Sequence, residues 1–462
     1  MSEGGAPRTQ SLGLWDSTAL VAGSMVGSGI FLVSASIARY TGSPGWLLAC
    51  WALAGAMTVA AALSYGELAA MFPAAGGQYV YLREAFGRLP AFLFGWTQLL
   101  VIQTGTIAAV AVAFARFLGV LLPAVDDRGV LGLSALTPQR LVAMALLLLL
   151  TWVNSRGLAF GKLIQNSFTL AKAGVLVALV GVGLYAWSGW ASLPPHWSPA
   201  LGHAAGAPAF WGPLQLGLLG PAMVGALFSA DAWNNITFTA GEIREPQRNL
   251  PASLALGTGL TIALYLAVNV AYLLALPFVD IAHAPSDRVA SAMVGTVLGG
   301  GAAVLVAIGI LISTFGCVNG MVLAGARVSY AMAQDRLFFK GAGELNRAGV
   351  PGKALWLQAI WGSLLCLSGT YSELLDYVIF AVLIFYILTL AGLFKLRRTQ
   401  PDRPRPYRAL GYPVLPALYL VAAALVALGL LAAPQTRLQA LAGLGCVVAG
   451  LPAFFFLRRL SP

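Results

Sequence analysis

The residues able to do chemistry in this chain are few, and they sit in apolar surroundings. One group is Leu227-Phe228-Ser229-Ala230-Asp231-Ala232-Trp233-Asn234-Asn235, with a carboxylate and two carboxamides in mid-stretch. A charged residue at the centre of a membrane helix costs about 2.5–3.5 kcal/mol on insertion scales, so it normally marks a substrate or ion path. A second group is Gly23-Ser24-Met25-Val26-Gly27-Ser28-Gly29-Ile30-Phe31. Each glycine there costs a helix interior roughly 1 kcal/mol relative to alanine. A helix broken at this point frees amides and carbonyls, which in hydrocarbon must find a ligand, a cavity or protein. Gly23 and Gly27 also have the spacing of a small-residue helix contact, and that packing alternative stays open on the residues alone. The third feature is Lys172, the one basic residue inside an apolar stretch. It lies about nine residues into its segment, roughly 14 Å at 1.5 Å per residue. That depth opposes full snorkelling to the interface.

The ends of a broken helix set what it can hold. N-terminal ends present N–H groups and the positive end of the helix dipole, which suit a carboxylate. C-terminal ends present carbonyls, which suit an ammonium. One break therefore offers an anion site and a cation site close together, the charge layout of an α-amino acid. Other chemistry finds no support. Cys50, Cys317, Cys366 and Cys446 all lie in apolar stretches without metal-ligand spacing and read as buried thiols. The three histidines form no HExxH or HxH pattern, and no nucleophile elbow or intramembrane carboxylate pair occurs. No metal, no cofactor and no enzymatic activity are expected.

The elements that position these residues follow from composition. Of 462 residues, 59% are hydrophobic and 9% charged. A soluble domain is about 45–50% apolar and about 25% charged. This excludes a soluble enzyme, a disordered chain and a nucleic-acid binder. A spanning helix needs about 20 mostly apolar residues. Twelve segments qualify, at 14–40, 45–72, 89–121, 138–154, 163–187, 217–239, 251–276, 290–333, 354–370, 372–396, 414–433 and 438–457. The eighth exceeds one span, and its part near 326–333 is expected to leave the membrane as a helix. The polar first ten residues precede a run too long for a cleaved signal peptide.

The net charge of +11 is a topology signal. With both termini inside, twenty of the 27 basic residues fall on the inner side, six on the outer side, and Lys172 within a span. The two interruptions then line up: the first and sixth segments occupy matching places if the first ten form two halves of five. Interrupted helices at matching positions of two halves point to a transporter's central site. No residue-level repeat between the halves is visible.

At these residues the chain resembles the amino acid–polyamine–organocation superfamily, and within it the L-type amino acid transporter branch and its bacterial relatives. The stretches that carry the resemblance are VGSGIF at 26–31, SYGELAAMFPAAGGQYVYLREAFG at 64–87, LFSADAWNN at 227–235, GEIREPQRNLPASL at 241–254, NVAYL at 269–273, STFGCVNGMVLAGARVSYAMAQD at 313–335 and PYRALGYPVLP at 406–416. They occur in family order over nearly the whole chain. The resemblance implies an all-α polytopic membrane protein of leucine-transporter-type fold, with 12 transmembrane helices, a 5+5 inverted repeat and broken helices 1 and 6. A cytoplasmic segment would occupy residues 1–13 and the transport core 14–396, with helices 1–5 at about 14–187 and helices 6–10 at about 217–396. The rest, 397–462, would hold a cytoplasmic loop, helices 11 and 12 and a short C-terminus.

It also implies site residues. The substrate carboxylate would meet the amides of Ser28 and Gly29. Its ammonium would meet carbonyls of Met25, Phe228 and Asp231, with Val26 and Gly27 in the same unwound stretch and Asn234 in the second. Phe228 would gate the substrate from outside, and Tyr272, rather than the weaker candidate Tyr265, matches the functional tyrosine of the seventh helix. Lys172 resembles the lysine that sodium-independent members use in place of sodium. It is expected to bond carbonyls near Gly23 or Val26, with Ser313 or Thr314 nearby.

One position departs from the pattern, because the place of Asp231 is commonly glycine in this branch. It would favour a basic or hydroxylated substrate, take up a proton, or cap the broken helix. The loop at 123–137 lacks the cysteine that links animal carriers to a single-pass partner, so no such partner is implied; a monomer or weak homo-oligomer is expected. Glu67, Arg83 and Glu84 are expected to form ion pairs at the inner end of helix 2, and Glu242, Arg244, Glu245 and Arg248 similarly. Trp96, Trp187, Trp190 and Trp197 read as interface anchors.

The expectation is a sodium-independent carrier of neutral L-amino acids in a bacterial inner membrane, working by exchange. Proton symport and a cationic amino acid or polyamine substrate compete within that class. A channel or an amino-acid sensor on the same fold is the alternative class.

Overall fold

A computed structural model describes residues 12–74, 76–129, 136–157, 159–188, 216–368 and 371–460. Among them the chain is all helix, apart from an isolated parallel bridge between Leu12 and Ile243. Helix α1 spans Leu14–Met25 and α2 Gly29–Thr41, and the two meet at a 44° bend across a short break. Then come α3 (Pro44–Met71), α4 (Gln78–Phe86), α5 (Arg88–Thr97) and α6 (Gln103–Leu121). One π-helical turn, Gln98–Ile102, joins α5 to α6 into a single span, Arg88–Leu121. Helices α7 (Pro138–Ser155) and α8 (Ala159–Ser188) complete the first half.

The second half opens with α9 (Leu216–Ser229), which stops at a second break before the single turn α10 (Asn235–Phe238). Helix α11 (Pro246–Ala275) leads through the short α12 (Phe278–Ala282) to α13 (Val289–Leu298) and α14 (Gly300–Gln334). The long eighth apolar segment is thus two helices. Gly299, at φ 88°, turns the chain between them, a conformation that suits glycine because it lacks a Cβ. Helices α15 (Gly352–Ser368), α16 (Tyr371–Thr399), α17 (Val414–Ala432) and α18 (Pro434–Leu460) follow.

Each of the twelve apolar segments contains helix where described, and the first, sixth and eighth are interrupted at 26–28, 230–234 and Gly299. Among the described residues eight helices are long and apolar enough to cross a membrane, and the bent pair α1–α2, taken as one span, makes a ninth. The other three fall short for local reasons. Polar Gln139, Arg140, Asn154 and Ser155 dilute α7, α9 is cut at its break, and α15 has 17 residues. The polypeptide is a multi-pass integral membrane protein.

Packing places the breaks in the middle of the bundle. The half-helix α1 lies against α11 and α8, and α2 lies against α9. Helix α14 packs on both α6 and α8, and α16 on α4, α6 and α9. Long spans α17 and α18 flank this bundle and leave an apolar stripe outward: Val414, Leu418, Val421, Leu425 and Leu428 of α17 are each more than half exposed. In water such a stripe would be an anomaly; in a bilayer it faces acyl chains.

Candidate functional site

The first break begins where the α1 ladder ends. The Val26 amide still bonds the Ala22 carbonyl at 2.9 Å, and no helical turn follows until Gly29. A helix leaves its last carbonyls without intrahelical partners. Here four consecutive carbonyls each receive a side-chain donor from a neighbouring helix. Lys172 Nζ of α8 donates to Gly23 O at 2.6 Å. Cys317 Sγ of α14 donates to Ser24 O at 3.6 Å. Tyr265 OH of α11 donates to Met25 O at 2.9 Å, and Ser313 Oγ of α14 to Val26 O at 3.5 Å. Three helices therefore hold the last turn of α1 and the first residue of the break. Lys172 is 1% exposed, so its charge faces protein rather than solvent or lipid headgroups.

Beyond the break, α2 starts with its amide end toward the centre. Ser28 caps it in geometry, yet its hydroxyl turns aside and lies 3.1 Å from Tyr371 OH of α16. Gly29 sits hard against α9: a Cβ there would overlap the Ser229 side chain and lie 3.0 Å from the Ser229 Cα. Tyr272 OH donates to Ile30 O at 3.2 Å, one residue further along α2.

The second break runs from Ala230 to Asn234. Ala232 adopts φ 65°, a left-handed conformation costing an L-residue roughly 1–2 kcal/mol. An aromatic layer holds the turn: Trp233 packs on Tyr65 of α3 at 4.8 Å and on Tyr386 of α16 at 5.5 Å between centroids. Asp231 Oδ1 accepts from Tyr386 OH at 2.5 Å. Its carboxylate therefore faces α16. It borders a polar cavity lined by Gln78, Gln98, Gln103, Asn234 and Tyr386. Asn234 Nδ2 donates to Gln78 Oε1 at 3.3 Å, and Gln103 Nε2 to Met321 O at 2.7 Å. The cavity measures about 20 Å³, room for a single water. The centre is closed around itself.

Both ends of the bundle are fastened. At one end Phe228 lies edge-on to Tyr371 at 6.2 Å, and the Arg116 guanidinium sits 5.6 Å over the same ring. Arg116 and Arg39 both reach Asp287, at 3.5 and 2.8 Å. At the opposite end Glu67 of α3, 0% exposed, receives Arg397 of α16 at 2.5 Å, Arg405 at 3.2 Å and the Ala409 amide at 2.7 Å. Arg83 bonds Asp335 at 2.5 Å and Glu84 at 3.2 Å, and Arg327 bonds Glu242 at 2.8 Å. Leu12 bonds both Glu242 and Arg244 through the backbone.

A sequence model of amino acid permeases matches residues 12–449. The chain belongs to the amino acid permease family. The permease is 30% identical over 465 residues to the b(0,+)-type amino acid transporter 1 of Rattus norvegicus, covering 97% of this chain and 88% of that one. It is 29% identical over 463 residues to the Asc-type amino acid transporter 1 of Homo sapiens, covering 96% and 82%. It is 28% identical over 460 residues to the serine/threonine exchanger SteT of Bacillus subtilis, covering 97% of each chain. The permease is an amino acid transporter, and no member of this set is an enzyme.

Within the permease, the expected site residues separate into three places. Gly23, Met25, Val26, Gly27, Ser28, Gly29, Lys172, Ser313 and Tyr272 gather at the first break, and Phe228 packs edge-on to Tyr371, whose hydroxyl meets Ser28. Asp231 and Asn234 line the polar cavity beside α4 and α6. Thr314 turns back on its own helix, donating to Ile310 O at 2.8 Å. Tyr265, the weaker tyrosine by motif, is the one that reaches the carbonyl end of the break, one residue after Ser24. Glu67 pairs with Arg397 and Arg405 and not with Arg83. Trp96 donates to Cys446 O at 3.1 Å and stacks on Phe92, so it joins α5 to α18. Cys446 is only half-buried, whereas the other three thiols are buried. Trp190 and Trp197 lie outside the described residues, as do residues 1–11. Sequence reasoning missed Tyr371 and Tyr386; the one available signal was a hydroxyl-bearing ring inside, or at the mouth of, an apolar span.

Proposed function

We propose that this permease is a sodium-independent exchanger of neutral L-amino acids. The observation that carries the reading is the ammonium of Lys172 on the Gly23 carbonyl at 2.6 Å. A fixed cation at an unwound helix does the electrostatic work that a bound metal cation would otherwise do, so no sodium is needed to hold the break. The substrate carboxylate sits at the amide end of α2, at Ser28 and Gly29. The substrate ammonium takes the second lone pair of Met25 O and the carbonyls near Phe228 and Asp231. A carbonyl accepts two hydrogen bonds, so Tyr265 and the substrate share Met25 O. Phe228 and Tyr371 cover the site from one side.

The twelve helices take the leucine-transporter arrangement in this reading, with a 5+5 inverted repeat over residues 14–396 and helices 11 and 12 beyond. The supporting features are two broken helices at corresponding positions. Both termini face the cytoplasm of a bacterial cell, supported by the basic excess at one end. Exchange is supported by the likeness to a protein named as a serine/threonine exchanger. Neutral substrates are favoured because Asp231 already serves as acceptor for Tyr386.

The test is uptake of labelled alanine, serine or leucine by the purified protein in liposomes, in sodium-free buffer, with and without unlabelled amino acid inside. Uptake that depends on internal amino acid supports the exchanger. Uptake without it, raised by an inward proton gradient, replaces exchange with proton symport. Uptake of arginine alone overturns the neutral-substrate reading.

A further inference from the structure

The basic end of α16 carries a groove that the transport site does not use. Ala391, Phe394 and Leu420 form its apolar walls, and Lys395, Arg398 and Thr399 its polar rim. Its volume is about 420 Å³. It lies between the last turns of α16 and Leu420 of α17, a partly buried residue whose neighbour Val421 belongs to the exposed aliphatic stripe. One wall is thus continuous with a surface that faces acyl chains.

The two cations are not accounted for by the helix itself. Helix ends attract lysine and arginine because their final carbonyls lack partners. Here Arg405 reaches that end, donating to Leu396 O at 3.2 Å and to Gln400 O, just past the helix, at 2.8 Å. Among the described residues neither Lys395 nor Arg398 pairs with a carboxylate, and Lys395 has only the Phe86 ring beneath it at 4.8 Å. They stand three residues apart, on one face of the helix. Two free cations at the rim of an apolar groove, at the water-facing end of a span, complement a phosphate attached to acyl chains.

We infer that the α16–α17 groove binds the phosphodiester headgroup of an anionic phospholipid, on Lys395 and Arg398, with its acyl chain against Leu420 and the α17 stripe. Arg397, which lies between them in sequence, is the one that fastens α16 to buried Glu67. A lipid held at Lys395 and Arg398 braces the same helix end, and therefore stabilises the fastened form of that end of the bundle.

The test compares wild type with the Lys395→Gln/Arg398→Gln double variant, each as full-length protein in detergent, titrated with phosphatidylglycerol, phosphatidylcholine or inorganic phosphate. The readouts are the thermal midpoint and retention of labelled lipid. Phosphatidylglycerol should raise the midpoint of wild type, and its affinity should fall about tenfold or more in the double variant, since each interfacial cation contributes on the order of a few-fold. Lys395→Arg with Arg398→Lys keeps both charges and should keep the effect, which separates lost charge from lost folding. Equal responses of wild type and the Gln variant overturn the proposal. So does a response to inorganic phosphate equal to that of phosphatidylglycerol, which would make the site an anion site without a lipid.

Discussion

At the residue scale, function rests on how an interrupted helix satisfies its own backbone. Lys172, Cys317, Tyr265 and Ser313 supply donors to four successive carbonyls. Removing one leaves a buried acceptor unpaired, which costs about 1–3 kcal/mol, and more where the donor is charged. Lys172→Ala should therefore stop transport while the protein still reaches the membrane and elutes as a folded species. Uptake measured beside a size-exclusion profile checks this, and wild-type rates would remove Lys172 from the mechanism. Gly29→Ala is the second test. The added methyl would overlap Ser229, and overpacking of this kind costs about 1–3 kcal/mol. Transport should fall, and Ser229→Gly in the same chain should restore part of it, because the Oγ and Cβ contacts vanish while the close Cα remains. The break, its glycines and Lys172 were readable from sequence because each violates the rule for an apolar span. Tyr371, Tyr386 and the α4 glutamine were not, because a tyrosine or glutamine in a span has no fixed partner until the bundle packs.

At the element scale, helix positions were legible and helix continuity was less so. Apolar length located every described span, since hydrocarbon demands it. The split of the eighth segment falls at Gly299-Gly300-Gly301, a glycine run that went unread because apolar residues continue on both sides, and the π turn at Gln98–Ile102 carries no glycine or proline to mark it. Ion pairing of Glu67, Arg83 and Glu84 was legible, but the partners in distant segments were not. Glu67 could be recognised as a charge at the end of α3, but its partners lie 330 residues or more away in sequence. That network gives a prediction about α3 and α16 together. Glu67→Gln leaves two arginines without their buried counter-charge, and breaking such a pair costs about 3–5 kcal/mol. A large fall in thermal midpoint should accompany it, together with greater labelling of cysteines introduced near that end of the bundle. An unchanged midpoint would mean that solvent already screens the pair.

At the scale of the whole molecule, the two ends are fastened by different physics. Glu67 is fully enclosed, and its pairing with Arg397 and Arg405 is sheltered from counter-ions. The clasp at the other end runs through Asp287 and Arg39, whose side chains are 28% and 40% exposed. Charges open to solvent are screened over about 8–10 Å at physiological salt, and buried ones much less. Ionic strength therefore acts as a one-sided lever. Adding salt loosens the Asp287 side first and tilts the resting population toward access from that face. A reagent that labels from one side only should report faster modification there as salt rises, and no change on the Glu67 side. A change of salinity on the Asp287 side would then change how often the carrier opens there, with the enclosed Glu67 lock left as it was.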